Sequence, residues 1–261
     1  MATRHHENPR QTLLEEAADP ETDPERLRHL AKHAAKAVER VVIQNPVVPE
    51  DVWRKALLEG DPEAWSNPMA PIYLLVWSPQ PGDWRTIEDG ARRAAIYLWE
   101  NPDRCSPDGK VLINCKILEW WAYSVSALHM IEYIQSWASA KGTESEEHKA
   151  LVRLLVLCVR TVPNLTAEDR QALDLLDAWC AGGEDRSREA QALASLNVVL
   201  LTVLAAINPS GSHISWGVIY DVLESVAVGK EWNESKKAKA EHDRLLADLI
   251  RKEMPLPPLV E

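Results

Sequence analysis

The chain has 261 residues, 46% of them hydrophobic, enough to bury a sizeable core in one elongated domain or two compact ones. Its 40 acidic against 29 basic residues leave a net charge of −11, which argues against a broad electrostatic surface for nucleic acid or anionic lipid. The four cysteines, Cys105, Cys115, Cys158 and Cys180, form no C-x-x-C pair, so neither a zinc site nor a disulfide framework is indicated, and reduced thiols in a cytoplasmic protein are the plain reading.

From the N-terminus, Met1 to Arg10 is polar and lacks the apolar centre of a signal peptide. The first sign of organisation is Asp19-Pro20-Glu21-Thr22-Asp23-Pro24, followed by Asn45-Pro46-Val47-Val48-Pro49 and Asn67-Pro68-Met69-Ala70-Pro71. Proline disfavours the α conformation in the residue before it, so each Asn or Asp is expected to close one helix. The second proline suits the first position of the next. Five of the nine asparagines precede a proline, at positions 8, 45, 67, 101 and 208, where composition alone gives roughly 0.6, so the pairing marks a repeat. A large apolar residue stands two positions before the Asn in Ile43, Trp65 and Trp99, and another three positions after the second proline in Leu27, Val52 and Leu74. The intervals from Asp19 through Asn45 and Asn67 to Asn101 are 26, 22 and 34 residues. Units of that length cannot bury their own apolar face and must stack on neighbours.

On these residues the chain resembles the leucine-rich repeat variant family, a HEAT-like α-solenoid class punctuated by Asn-Pro-x-x-Pro turns, over roughly residues 10 to 105. The resemblance implies a stack of short helices. Founding members carry an N-terminal cysteine cluster for an iron–sulfur centre; no cysteine here precedes Cys105, so that cluster does not carry over and no cofactor is expected.

Within this region the periodicity predicts helices over Pro24 to Ala35, Ala37 to Ile43 and Trp84 to Trp99, the last preceded by a Pro79-to-Asp83 loop. From Leu118 prolines become sparse and helices lengthen. Helices are predicted over Glu119 to Ala140, Ser145 to Val162, Thr166 to Gly182, Arg186 to Ile207, Ile214 to Val228 and Ser235 to Glu253. The most apolar run, Leu193 to Ile207, is interrupted by polar residues and falls short of the roughly 18 to 20 residues that span a bilayer, so it reads as a buried helix. Leu154 to Arg160 and Leu245 to Arg251 are similar to segments of uncharacterised bacterial helical proteins. The expected fold is all-α: a repeat region over residues 1–118 and a helical, bundle-like portion over 119–261.

Candidate chemistry is sparse. His29 and His33 lie one helical turn apart, but zinc takes three or four ligands, so a solvated helix surface is the reading. Asp174 and Asp177, at i and i+3, read as an exposed acidic face, Gly211 to Gly217 as a loop in which Ser212 caps a helix, and Lys236, Lys237 and Lys239 as a solvated helix start. No phosphate-binding, dinucleotide or EF-hand motif occurs. The chain holds 11 Trp and no Phe. Because Trp120 and Trp121 point about 100° apart on a helix, they cannot both occupy one core stripe, and one is expected at a surface, buried between the two halves of the chain or else facing a partner.

These readings converge on a cytoplasmic, non-catalytic protein–protein interaction scaffold without metal, nucleic acid or membrane, with Trp53, Tyr73, Trp84, Trp120 and Trp121 as candidate partner-binding residues. The alternatives are a regulatory or immunity-type inhibitor and a helical enzyme with a dispersed site such as His129, Glu132, Asp174 and His213.

Overall fold

In the computed structural model, residues 9–76, 83–142, 145–161, 165–183 and 236–261 are described. The helices expected over Arg186 to Ile207 and Ile214 to Val228, with Ser212 and His213, lie outside them. The described residues are mostly α-helical and contain no strand, as the patterning requires. No described helix is long and apolar enough to cross a membrane. The chain divides into two compact units, residues 1–120 with 259–261 and residues 121–258.

The first unit is built from short helices: α1 (Pro9–Ala18), α2 (Pro24–His33), α3 (Lys36–Gln44), α4 (Glu50–Glu59), α5 (Pro62–Trp65), α6 (Ala70–Val76) and α7 (Asp83–Glu100). A 3₁₀ turn, Pro102–Arg104, then leads into α8 (Pro107–Tyr123), whose last residues belong to the second unit. α1 packs on α2 and α3, α3 on α4 and α5, and α7 on α4 and α5. The core runs through Leu27, Val42, Ile43, Trp53, Leu57 and Trp65, all essentially inaccessible to water. Two glycines set the α4 to α7 approach: a Cβ on Gly90 would lie 2.4 Å from the Leu57 carbonyl oxygen, and Gly60 ends α4 in the left-handed region at φ +81°. Arg93 of α7 donates to the terminal carbonyls of Leu58 and Glu59 that α4 leaves without an intrahelical partner.

The expected placement of the prolines holds for Pro24, which opens α2, and shifts for the others: Pro49 is the residue before α4, with φ −58° and ψ 135°, and Pro71 is the second residue of α6. Both positions leave the missing N–H outside the helical ladder.

The second unit uses longer helices: the end of α8, then α9 (Ala127–Lys141), α10 (Glu146–Arg160), α11 (Ala167–Cys180) and α12 (Lys236–Glu253). α10 packs on α9, α11 and α12, and α12 also on α9. The single helix expected over Glu119 to Ala140 is two, because the chain breaks at Ser124-Val125-Ser126 and the Ser126 hydroxyl accepts the His129 N–H. Ser145 and Thr166 cap α10 and α11 in the same way. Thr166 and Asp169 form a reciprocal capping box. Leu151, Leu154, Leu155 and Cys158 form the buried stripe of α10 as the period implies. On α12, Leu246 and Ile250 are buried, whereas Leu245 is 63% exposed.

Candidate partner-binding groove

The Asn-Pro stretches do more than stop helices. Asn45 is buried, and its side-chain amide donates to the carbonyls of Ala17 (2.8 Å) and Asp19 (3.0 Å), while its Oδ1 accepts the Val47 N–H (2.9 Å). Asn67, equally buried, donates to Ile43 (2.7 Å) and Asn45 (3.0 Å) and accepts from Met69 N–H (2.7 Å). Each asparagine thus closes its own turn and bridges two carbonyls at the end of an earlier helix, α1 or α3: that of the Asp or Asn of the previous turn and that of the residue two positions before it. Asp19 makes the same local turn with the Glu21 N–H (2.9 Å). A carboxylate has no N–H with which to reach further. At Asn101 the series ends, since its amide turns back to the Tyr97 carbonyl four residues earlier. There Ser66 Oγ accepts the Ser106 N–H and lies 3.2 Å from the Cys105 thiol.

These bridges stack α1, α3 and α5 side by side, and a groove of about 340 Å³ opens along α2, α3 and α4. Its floor is aliphatic, from Ala31, Ile43, Val52 and Ala56. Its walls are charged. Arg28 of α2 pairs with Asp51 of α4 at 2.9 Å, and Lys55 lies 3.8 Å from Glu59. Lys36 lies 3.1 Å from Glu39 and 3.9 Å from Asp61. Below this end of the groove the buried Glu63 carboxylate pairs with Arg104 and lies 3.7 Å from Arg40 Nε.

Of the five aromatic residues expected to meet a partner, three are enclosed. Trp53 is fully buried and donates to the Ala64 carbonyl at 2.8 Å, tying α4 to α5. Trp120 and Trp121 are both buried: α8 has a wide buried arc, with Ile113 and Ile117 beside Trp120, and not the single narrow stripe assumed for it. Arg92 stacks over Trp120 at 5.7 Å, and the Trp121 indole donates to the Met254 carbonyl at 3.2 Å. Their surface role is therefore withdrawn, since no ring face is open to a partner. Tyr73, half-buried, tilts against Trp53 with ring centres 4.9 Å apart and donates to the Val48 carbonyl. Trp84 lies in the first turn of α7, and its side chain is outside the described residues.

The other candidates have plain accounts. His29 and His33 are exposed with ring centres 4.8 Å apart. Asp174 and Asp177 both accept from one Arg160 guanidinium, at 2.6 and 2.7 Å, an ion-pair clamp between α10 and α11. Among the described residues no group of three or more His, Cys, Asp or Glu could hold a metal ion. The side chains of Lys236, Lys237 and Lys239 fall outside the described residues.

Sequence reasoning missed Asp61 and Arg28. Glu59-Gly60-Asp61-Pro62 carried the signal, a left-handed stop, a cap and a proline in consecutive positions, and Asp61 does accept the Glu63 N–H at 3.1 Å as the cap of α5. Comparison with protein families, with curated proteins and with solved structures found no match to this chain.

Proposed function

We propose that the chain is a non-catalytic protein–protein interaction scaffold whose N-terminal portion is a short α-helical repeat array of the leucine-rich repeat variant or HEAT-like kind, acting in the cytoplasm. The observation that carries this reading is the equivalence of the two buried asparagine bridges, Asn45 to Ala17 and Asp19, and Asn67 to Ile43 and Asn45. Bridges in a constant register are how a stack of units too short to fold alone is held, and such a stack offers a continuous groove to a partner. The groove along α2, α3 and α4, aliphatic below and charged at its edges, has the composition of a recognition surface.

The test is affinity capture from the native host with lysine crosslinking. The expected result is one co-purifying protein in near-equimolar amount, crosslinked to Lys32 or Lys55 and lost from a Val52→Arg chain. A monomeric chain that retains no partner and turns over a substrate contradicts the reading.

A further inference from the structure

Asn114 of α8 holds a distant residue by its main chain. Its Nδ2 donates to the Val260 carbonyl at 2.9 Å and its Oδ1 accepts the Val260 N–H at 2.9 Å, so one side-chain amide takes both main-chain groups of a residue 146 positions away. One turn earlier on α8, Lys110 Nζ donates to the main-chain oxygen of Glu261. All of these residues belong to the first unit. The segment they hold, Leu259–Glu261, is neither helix nor strand, and side chains satisfy it where a ladder otherwise would.

What the site selects follows from that segment. Val260 is only 6% exposed, so the docked position takes a compact apolar side chain. It must also present an N–H, which excludes proline. Leu259 and Glu261 are exposed, so their side chains are not selected. This is recognition through the main chain with a single side-chain pocket, the mode by which proteins take extended peptides.

Two features point beyond a structural tie. Three hydrogen bonds and one buried side chain put the opening of this segment at the low end of local stability. One position along from Lys110 and Asn114, an apolar stripe at i, i+4 and i+7 stays uncovered: Val111 is 60% exposed, and Cys115 and Leu118 are exposed as well. A longer segment that makes the same main-chain bonds and also lies on this stripe buries apolar area that Leu259–Glu261 leaves open.

Resting on the scaffold reading for a protein partner, we propose that α8 docks an extended segment of that partner, with a Val- or Ile-like residue bracketed by Asn114 and further apolar side chains on Val111, Cys115 and Leu118. Leu259–Glu261 fills the site as an internal competitor. The site shares no residue with the groove along α2, α3 and α4.

The test is selection of a phage-displayed random dodecapeptide library on the full chain carrying Val260→Asp, which sets a carboxylate in the pocket and so undocks its own segment. Affinities are then measured with the enriched synthetic peptides, and buried Cys158 reports an intact fold by staying unlabelled by a maleimide. Val260→Pro, which removes the bracketed N–H without adding a charge, is the second variant and behaves alike. The expected consensus holds Val or Ile with further apolar residues, and each peptide slows maleimide labelling of Cys115. Wild type binds at least about tenfold more weakly, because its tethered segment competes at high effective concentration. Asn114→Ala or Leu118→Glu, added to Val260→Asp, each weakens the peptides by at least about tenfold. Equal binding to wild type and Val260→Asp, indifference to Asn114→Ala, or unchanged Cys115 labelling overturns the proposal. A host partner lost from Val52→Arg but retained by Asn114→Ala and Leu118→Glu overturns this inference and leaves the scaffold reading standing. Peptides that meet every condition while no host protein is captured do the reverse.

Discussion

The two units solve the same problem, the unpaired backbone groups at helix ends, in different ways. In the second unit the solution is local: Ser126, Ser145 and Thr166 each accept an N–H three residues on, and the helices they start are 15, 15 and 14 residues long with broad apolar stripes. In the first, apart from α7, the helices before the 3₁₀ turn run from 4 to 10 residues, too short to persist without support, and the buried amides of Asn45 and Asn67 reach back 22 to 28 residues to carry it. Long helices can afford local caps and an apolar interior. Short ones need polar bridges inside the core, which makes the first unit more brittle towards single polar substitutions.

That contrast can be broken at several points. The largest effect is expected at Trp53, inaccessible to water and bonded to Ala64: Trp53→Ala costs about 3–5 kcal/mol in chemical denaturation. Asn67→Ala leaves the Ile43 carbonyl and the Met69 N–H without their side-chain partner and removes one of the two donors to the Asn45 carbonyl, for a loss of roughly 2–4 kcal/mol. Asn67→Asp should be worse at neutral pH, because it sets a carboxylate against two carbonyl oxygens, and should recover partly in acid; a milder effect than Ala breaks the bridge interpretation. Asn101→Ala, by contrast, loses one exposed local bond and stays within about 0.5 kcal/mol of wild type.

In the second unit Thr166→Ala removes half of a capping box and costs about 1 kcal/mol. His148 is buried on α10, and burial pulls its pKa below the ordinary 6.5. The folded state therefore disfavours the charged ring. Stability is full above about pH 6.5 and falls as the pH drops towards the folded pKa. His148→Leu should flatten that acid slope in a series of denaturation curves. The smallest effect concerns reactivity alone. Cys115 is exposed and should label rapidly with a maleimide, while Cys158, buried with its thiol pushed up to about 12, and Cys180, pushed up to about 11, should stay unlabelled until the chain unfolds.

Much of the helical plan was legible. Pro24 and Thr166 each carry a local signal that the fold follows, and the helices predicted over Pro24 to Ala35, Ala37 to Ile43, Trp84 to Trp99, Ser145 to Val162 and Ser235 to Glu253 match α2, α3, α7, α10 and α12 to within a few residues. The sequence failed where the deciding contact is distant or the period carries through a break. Apolar residues continue at helical spacing across Ser124 to Ser126, so the turn there is invisible unless the serine is read as a cap. Asn45 and Asn67 announce a turn, but their bonds to residues 22 to 28 positions earlier exist only once α1, α3 and α5 are stacked. The two accepting carbonyls, those of the previous turn's Asp19 or Asn45 and of the residue two before it, Ala17 or Ile43, follow from the spacing of the turns, but the spacing did not name the amide as the link. Trp120 and Trp121 misled because adjacency was weighed against a narrow buried stripe, whereas α8 is covered over a wide arc. Of the groove, the aliphatic position Val52 was visible in the repeat. The ion pairing of Asp51 and Asp61 was not, because it depends on where Arg28 and Lys36 reach.

The most direct test of the asparagine bridges is native-state hydrogen exchange at three amides that make the same local turn: Glu21 on Asp19, Val47 on Asn45 and Met69 on Asn67. If the buried bridges lock the stack, Val47 and Met69 are protected at least about a hundredfold more than Glu21, whose acceptor is an exposed carboxylate with nothing to reach back with. Comparable, fast exchange at all three would mean that the asparagines only shape turns, and the bridged stack would have to be abandoned.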